Sequence, residues 1–94
     1  MAFLPVQSLL GTALTGTFQT IRSYTGRIRQ IVITSDCNAA IELSFDGGVT
    51  SHVRLPSSTS IVLDGVNIQE AIKVKHGGSA PTSGHVAVTG DLMD

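Results

Sequence analysis

Residues 41–55 decide the fold, and they read IELSFDGGVTSHVRL. Apolar and polar side chains alternate along both arms of this stretch, which is typical of a β-strand with one buried face. The second arm should therefore direct Val49, Val53 and Leu55 inward. The residues Asp46–Gly48 join the arms, because glycine accepts the positive φ angles of a tight hairpin turn. The stretch predicts an antiparallel β-hairpin.

Turn residues divide the rest of the chain into five more short segments rich in β-branched or alternating apolar residues. These predicted strands are residues 16–24, 27–34, 60–64, 68–75 and 85–89. The segment 27–34 has Ile and Val on both faces, which indicates a central strand covered on both sides. Turns or loops are expected at residues 56–59, 65–67 and 76–84. Seven short strands predict an all-β fold, a single antiparallel β-sandwich or small barrel.

The inward positions of these strands predict the hydrophobic core. We expect it to contain Ile31, Ile33, Ile41, Leu43, Phe45, Val53, Leu55, Ile61, Leu63, Ile72, Val74, Val86 and Val88. Lys73 and Lys75 alternate with two of these residues and should point outward. A chain of 94 residues is long enough for one modest core, and contacts with other subunits would add to its stability.

Three regions of different character follow one another along the chain. We expect an apolar N-terminal arm at residues 1–14, a β-sandwich domain at residues 15–90 and a short acidic tail at residues 91–94. The arm should be extended, because Pro5 and Gly11 leave too little room for a stable helix. An uncharged apolar arm has to be covered, either by its own domain or by a neighbouring subunit. In the second case the assembly contacts would be Phe3, Leu4, Val6, Leu9 and Leu10.

The chain carries little charge. Charged residues make up 14% of it, against roughly 25% in typical soluble domains. Either the surface is simply rich in uncharged Ser, Thr and Gly, or neighbours in an assembly cover much of it. A net charge of −1 gives no long-range attraction to nucleic acid or anionic lipid, so we expect neither as a partner. The N-terminus lacks a basic leading region and no apolar run reaches ~20 residues, so we expect no export signal and no membrane span.

No residue pattern points to catalysis or to a bound metal. The spacing of His52, His76 and His85 matches no ligand motif, and Cys37 is expected to be an ordinary unpaired thiol in a turn. Two pairs of acidic residues could in principle be the paired carboxylates of a hydrolase, namely Glu42 with Asp46 and Asp64 with Glu70. All four lie at outward, turn or strand-end positions, where charges are usually solvated. We therefore expect a protein that is not an enzyme and binds no cofactor or metal.

Several stretches resemble a group of small virion proteins of tailed bacteriophages. They are the SFDGG hairpin at Ser44–Thr50, the LP turn at Val53–Pro56, the VLD strand at Ser60–Asp64, the strand ending in lysine at Ile72–Lys75 and the GSAPTSG loop at Gly78–Gly84. The resemblance spans roughly residues 28–89 and consists of hairpin and turn sequences. The N-terminal arm lies outside it.

The resemblance implies a β-sandwich component of a tailed-phage particle, and it carries over no catalytic residues. A capsid decoration, or cement, protein is the first expectation. Its partners would be the major capsid protein or other virion proteins, with homo-oligomers expected, and it would enter the virion after synthesis in the host cytoplasm. The alternatives are a neck, tail or fibre accessory protein, and a surface module that recognises a receptor or glycan near His52 or residues 76–84. The scarcity of aromatic residues counts against glycan binding.

Overall fold

The chain folds into two four-stranded antiparallel sheets packed face to face. A computed structural model describes the backbone of residues 3–92 and the side chains of residues 6–91. The elements are β1 (Phe3–Leu10), a short 3-10 helix (Gly11–Ala13), β2 (Gln19–Ser23), β3 (Gly26–Ser35), β4 (Ile41–Ser44), β5 (Val53–Leu55), β6 (Ser60–Ile68), β7 (Ala71–His76) and β8 (His85–Leu92). The predicted all-β class is confirmed, as a sandwich rather than a barrel, with eight strands instead of seven. No helix in the described part of the chain is long and apolar enough to span a bilayer.

The edge strand β1 of the first sheet lies beside the edge strand β2 of the second sheet. The first sheet has the order β1-β8-β3-β6, and the second has the order β2-β7-β4-β5. The 3-10 helix leads from β1 in the first sheet towards β2 in the second, so the chain itself connects the sheets along this side. The edge strands β6 and β5 belong to the opposite side. That side is where a groove opens between the sheets.

The N-terminal arm is extended as expected, and it is part of the sandwich. The strand β1 pairs with β8, with Gln7 opposite Val88 and Leu10 opposite His85. Of the two ways to cover the arm, packing on its own domain therefore holds for residues 3–10. The predicted acidic tail begins inside β8, which extends to Leu92, and its last two residues lie outside the described part of the chain.

The strand β3 is central in its sheet, as predicted, but only one of its faces is deeply covered. It pairs with β6 on one side and β8 on the other. Ile28, Ile31 and Ile33 are fully buried, whereas Val32 on the opposite face is half-buried. The expected cover on the second face is therefore wrong for the isolated chain. The apolar residue on that face is the first indication of a contact surface.

The hairpin of residues 41–55 has the predicted faces but a wider loop. The pairing of β4 with β5 joins Ile41 to Leu55 and Leu43 to Val53, and the loop comprises residues 45–52. The prediction that Val49 points inward is wrong, since this side chain is highly exposed. The cause is a side-chain network in the loop, described below, which replaces the tight Asp-Gly-Gly turn.

The predicted turn at residues 65–67 is also wrong. These residues continue β6, and the pairing with β3 extends through Asn67 opposite Arg27 to Ile68 opposite Gly26. Gly65 takes a φ of 65°, which a residue with a side chain rarely adopts, so the strand is locally irregular without ending. The chain reverses one step later, at Gln69 and Glu70.

The core agrees closely with the sequence pattern. Ten of the thirteen predicted residues are buried, and Val53, Ile61 and Leu63 are half-buried against the others. Among residues 6–91, the sequence pattern missed six buried members, which are Leu14, Ile21, Ile28, Cys37, Ile68 and Ala71. Cys37 is an unpaired thiol in the loop after β3, as expected, and its side chain is fully buried in the core cluster.

The loop of residues 77–84 is anchored at its C-terminal half rather than uniformly flexible. The amide of Asn38 donates to the Thr82 hydroxyl at 2.7 Å, and the Thr82 N–H donates back to Asn38 Oδ1 at 2.9 Å. Pro81 is buried, and the Gly84 carbonyl accepts a hydrogen bond from the Gly11 N–H at 2.8 Å. These contacts join the loop to the start of the 3-10 helix.

Candidate functional site

The outer face of the first sheet combines apolar and uncharged side chains in a continuous row. Val32 lies opposite Thr89 of β8 on one side and opposite Val62 of β6 on the other. A shallow depression of about 190 Å³ follows the same face and is lined by Gln30, Val32, Thr89, Gly90 and Asp91. Cross-strand rows of this kind normally cover a core or a contact, because apolar groups gain free energy when they leave water.

Among residues 6–91, most of the large exposed apolar side chains belong to this sheet. Val6 is 65% exposed and Leu10 is 55% exposed, both on β1, and Val62 on β6 is 54% exposed. The fourth such residue, Val49, is 84% exposed but lies in the loop of residues 45–52. The first sheet thus carries exposed apolar side chains on both of its edge strands.

The five residues predicted as assembly contacts differ in what they offer. Val6 and Leu10 are exposed, so they are available to a partner. Leu9 is half-buried and packs against the core of its own domain. The side chains of Phe3 and Leu4 lie outside the described part of the chain, although their backbone belongs to β1.

The outer face of the second sheet is different, because it carries oppositely charged side chains that form an ion pair. Arg54 Nη1 donates to Glu42 Oε2 at 2.8 Å, across the pair β4 and β5. A hydrogen bond from Ser51 is the main cause that lowers the pKa of Glu42, and the nearby charges of Lys75 and Arg54 act in the same direction. Lys75 also lies 5.0 Å from the centre of the Phe18 ring. Such a face is typical of a solvated surface.

The loop of residues 45–52 is organised by Asp46. Its Oδ1 accepts hydrogen bonds from Ser44 Oγ at 2.7 Å, from the Thr50 N–H at 2.9 Å and from the Val49 N–H at 3.2 Å. Ser44 Oγ in turn accepts from the Gly48 N–H at 3.0 Å. The Ser44 hydroxyl first, and then the Thr50 N–H, hold the pKa of Asp46 well below its usual range.

His52 closes the loop against Phe45. The His52 Nδ1 accepts a hydrogen bond from the Phe45 N–H at 3.2 Å, and the two rings stack. A neutral imidazole whose Nδ1 accepts must carry its proton on Nε2. That Nε2 lies 4.0 Å from Asp46 Oδ2, which is too long for a hydrogen bond between the two atoms.

A groove of about 290 Å³ opens beside this loop, between the edge strands β5 and β6. Its apolar lining comes from both sheets and consists of Phe45, Val53, Leu63 and Val66. Its polar lining consists of Asp46, His52, Asn67 and Gln69. The Gln69 N–H donates to the Phe45 carbonyl at 2.9 Å, which joins the loop to the turn after β6.

The sequence reasoning singled out some of these residues and missed others. The structure brings His52 and Asp46 together, whereas His76 and His85 lie elsewhere. His76 Nδ1 accepts from the Gly78 N–H at 3.3 Å, and His85 Nδ1 lies 3.7 Å from Asp36 Oδ1. Asn67 was missed because it was assigned to a turn. No group of three or more His, Cys, Asp or Glu residues within the described ranges has an arrangement that could hold a metal ion.

The function has to be inferred from the residues and the structure of this chain. Comparisons with protein-family models, with curated proteins and with solved structures find no match. Two features of the structure stand out for function, namely the apolar outer face of the first sheet and the groove between β5 and β6. The first is an exposed face with apolar side chains, and the second is a groove of about 290 Å³.

Proposed function

We propose that this protein is a structural subunit that acts by binding neighbouring proteins through the outer face of its first sheet. The particle it joins would be that of a tailed bacteriophage, with capsid decoration as the leading role and a neck, tail or fibre position as the alternative. Its partners would be the major capsid protein or other virion proteins, together with further copies of itself. The phage assignment rests on the sequence resemblance of residues 28–89.

The observation that supports a contact function is the exposure of Val6, Leu10 and Val62 on one sheet. Each leaves more than half of an aliphatic side chain in water. Burial of apolar surface is worth roughly 25 cal/mol per Å², so covering these side chains and Val32 would favour association. A patch of this kind on a small domain usually marks an interaction surface.

The outer faces of the two sheets differ in where their charged residues lie, and this difference supports placing the partner on the first sheet. On the second sheet the Glu42–Arg54 pair and the lysines of β7 suit contact with water. On the first sheet the row Thr89–Val32–Val62 contains no charge. The next row of this face carries Asp64 and Asp91 on either side of Gln30, so it is the uncharged row Thr89–Val32–Val62 that we assign to the partner.

The test measures whether the chain occurs in particles and whether Val62 is needed for that. Quantitative mass spectrometry of gradient-purified particles from an induced culture should find the chain, with copies in the hundreds for a shell and about a dozen or fewer for a neck or tail. Val62→Lys should reduce co-sedimentation with particles at least about tenfold, which corresponds to about 1.4 kcal/mol of binding free energy. Val49→Lys is the matched control, because it charges an exposed valine outside the face, and it should bind as wild type.

Two results would overturn the proposal. One is the absence of the chain from all purified particles. The other is equal loss of binding in the Val62→Lys and Val49→Lys variants, since this would show that added charge rather than position matters. Circular dichroism of each variant, which should retain the β-sheet spectrum, excludes unfolding as the reason for any loss.

A further inference from the structure

The groove between β5 and β6 is a second recognition feature, separate from the outer face of the first sheet. Its floor is apolar, from Val53, Leu63 and Val66, and its rim carries hydrogen-bonding groups. At about 290 Å³ it is just below the ~300–1,000 Å³ range for pockets that bind small molecules. It therefore suits a ligand about the size of a single sugar ring rather than a long chain.

The rim contains a donor and an acceptor separated by the width of one hydroxyl group. His52 Nε2 carries the ring proton, and Asp46 Oδ2 lies 4.0 Å away. An oxygen placed about 2.8 Å from both atoms would accept from Nε2–H and donate its own proton to Oδ2. A hydroxyl group is the common chemical group that does both. Oδ1 is already engaged by three donors and the Thr50 hydroxyl also acts on this carboxylate, so the capacity that remains for a ligand is on Oδ2.

Two side-chain amides complete the rim on the opposite sheet. Asn67 and Gln69 are exposed and line the groove, and within the described ranges neither amide makes a hydrogen bond. Each amide offers two donors and an acceptor, which allows it to bind adjacent hydroxyls of one ligand. The backbone of Gln69 is fixed by its bond to Phe45, so this amide is presented from an ordered turn.

We propose that this groove binds a neutral saccharide, with one sugar ring seated on the apolar floor. Hydroxyls along one edge of the ring would bind Asp46, His52, Asn67 and Gln69, and the C–H face would contact Leu63 and Val66. The scarcity of aromatic residues in the sequence counts less against this site, because the stacked Phe45–His52 pair lies in its wall.

The charge of the lining selects against other small ligands. Asp46 contributes a carboxylate, and among the described side chains no Lys or Arg lines the groove. An anionic sugar, such as one bearing a carboxylate or sulfate, would be repelled at the same position that attracts a neutral hydroxyl. A small amine would satisfy Asp46 but would leave the two amides without partners, so the test includes one.

The test is a titration of the full-length protein followed by ¹⁵N–¹H NMR. The probes are glucose, galactose, mannose, N-acetylglucosamine and N-acetylgalactosamine, with sialic acid and n-butylamine for comparison. At least one neutral sugar should shift the amide signals of His52, Asn67 and Gln69, with a dissociation constant of about 1 mM. Sialic acid should give no shifts at these residues.

Single variants separate a built site from general surface effects. Asn67→Ala and Gln69→Ala should each weaken sugar binding about tenfold without changing the fold, because both side chains are exposed. Gln30→Ala, an exposed amide on the outer face of the first sheet, should bind sugar as wild type. No groove shifts from any neutral sugar at about 100 mM, or shifts that survive both groove variants, would overturn the proposal, as would stronger binding of n-butylamine than of every sugar.

The saccharide proposal goes beyond the structural role and does not depend on it. Val62→Lys should weaken particle binding at least about tenfold and leave sugar binding intact. Asn67→Ala should do the reverse. Loss of one activity with retention of the other therefore identifies which of the two proposals has failed.

Discussion

The rings of Phe45 and His52 stack with their centroids 5.4 Å apart and their planes inclined by 20°. These residues are the two ends of the loop that joins β4 to β5, and Phe45 is buried in the core while His52 covers it from the solvent side. The hydrogen bond from the Phe45 N–H to His52 Nδ1 adds a second connection between the ends. Closed in this way, the loop forms a preorganised wall of the groove.

The Asp46 carboxylate should make the stability of the protein depend on pH in the acid range. Its pKa is lowered in the folded protein by the Ser44 hydroxyl and the Thr50 N–H, whereas in the unfolded chain it returns to about 3.9. The stabilisation is therefore present above about pH 4 and is lost as the pH falls towards the folded pKa, because the unfolded chain takes up the proton first. Urea midpoints measured at neutral pH and near pH 3 should show this decrease.

The Asp46→Asn variant tests the assignment. It should unfold at lower urea than wild type at neutral pH, because the neutral amide oxygen accepts the three hydrogen bonds less strongly. The difference from wild type should shrink near pH 3. An Asp46→Asn variant whose midpoint decreases with acid as steeply as that of wild type would contradict the role of this carboxylate.

The loop also shows where the sequence pattern stops being informative. Alternation assigned the faces of β4 and β5 correctly, because a period of two is a property of the strand itself. It failed at Val49, because the Asp46 side chain binds the N–H groups of residues 49 and 50 and draws the chain into a wide loop. Asp-Gly-Gly is compatible with both geometries, and the composition of the turn does not distinguish them.

Gly84 should be far less replaceable than Gly78, although both have positive φ angles and lie in the same loop. A Cβ at Gly84 would collide with the backbone of Asp36 and Cys37, whereas a Cβ at Gly78 meets nothing within 4 Å. Gly78→Ala should cost only the backbone strain, about 1–2 kcal/mol. Gly84→Ala should cost about 3 kcal/mol or more, because displacement of neighbouring backbone is added.

Chemical denaturation of the two glycine variants measures this difference directly. The comparison is controlled internally, since both substitutions add one methyl group at a glycine with a left-handed backbone. Equal stability of the two variants would show that the contact of Gly84 with residues 36 and 37 is not a constraint on the fold.

Cys37 should be unreactive in the native protein. The thiol is fully buried in the core cluster, so a reagent such as DTNB has no access to it without opening of the sandwich. The full thiol titre should appear rapidly after addition of denaturant. A native protein that is modified as fast as a free thiol would contradict the burial of this side chain.

The two candidate sites differ in how far the sequence pattern predicts them. The outer face of the first sheet left a signal, because Ile31-Val32-Ile33 and Ile61-Val62-Leu63 are runs of three apolar residues that place one on each face. Of the groove lining, the sequence pointed only to His52 as a place for ligand recognition. The groove combines residues 45–53 of the second sheet with residues 63–69 at the edge of the first, and only the packing of the sheets brings them together. Asn67 was further concealed by the turn-like sequence Gly65-Val66-Asn67.

The adjacent residues Leu9 and Leu10 test whether β1 serves the fold and the contact surface at once. Leu9 packs against the core and Leu10 is exposed. Leu9→Ser should therefore destabilise the protein by about 1–2 kcal/mol, whereas Leu10→Ser should stay within about 0.5 kcal/mol of wild type. Urea denaturation of the purified variants measures both values.

Particle binding should respond in the opposite way. Leu10→Ser should weaken co-sedimentation with particles while stability is kept, and Leu9→Ser should bind as wild type wherever it is folded. If residues 3–10 were an arm free of the sandwich, neither substitution would change stability, and the pairing of β1 with β8 would be contradicted. Deletion of residues 2–12 cannot replace this test, because it would remove an edge strand and uncover the β8 backbone.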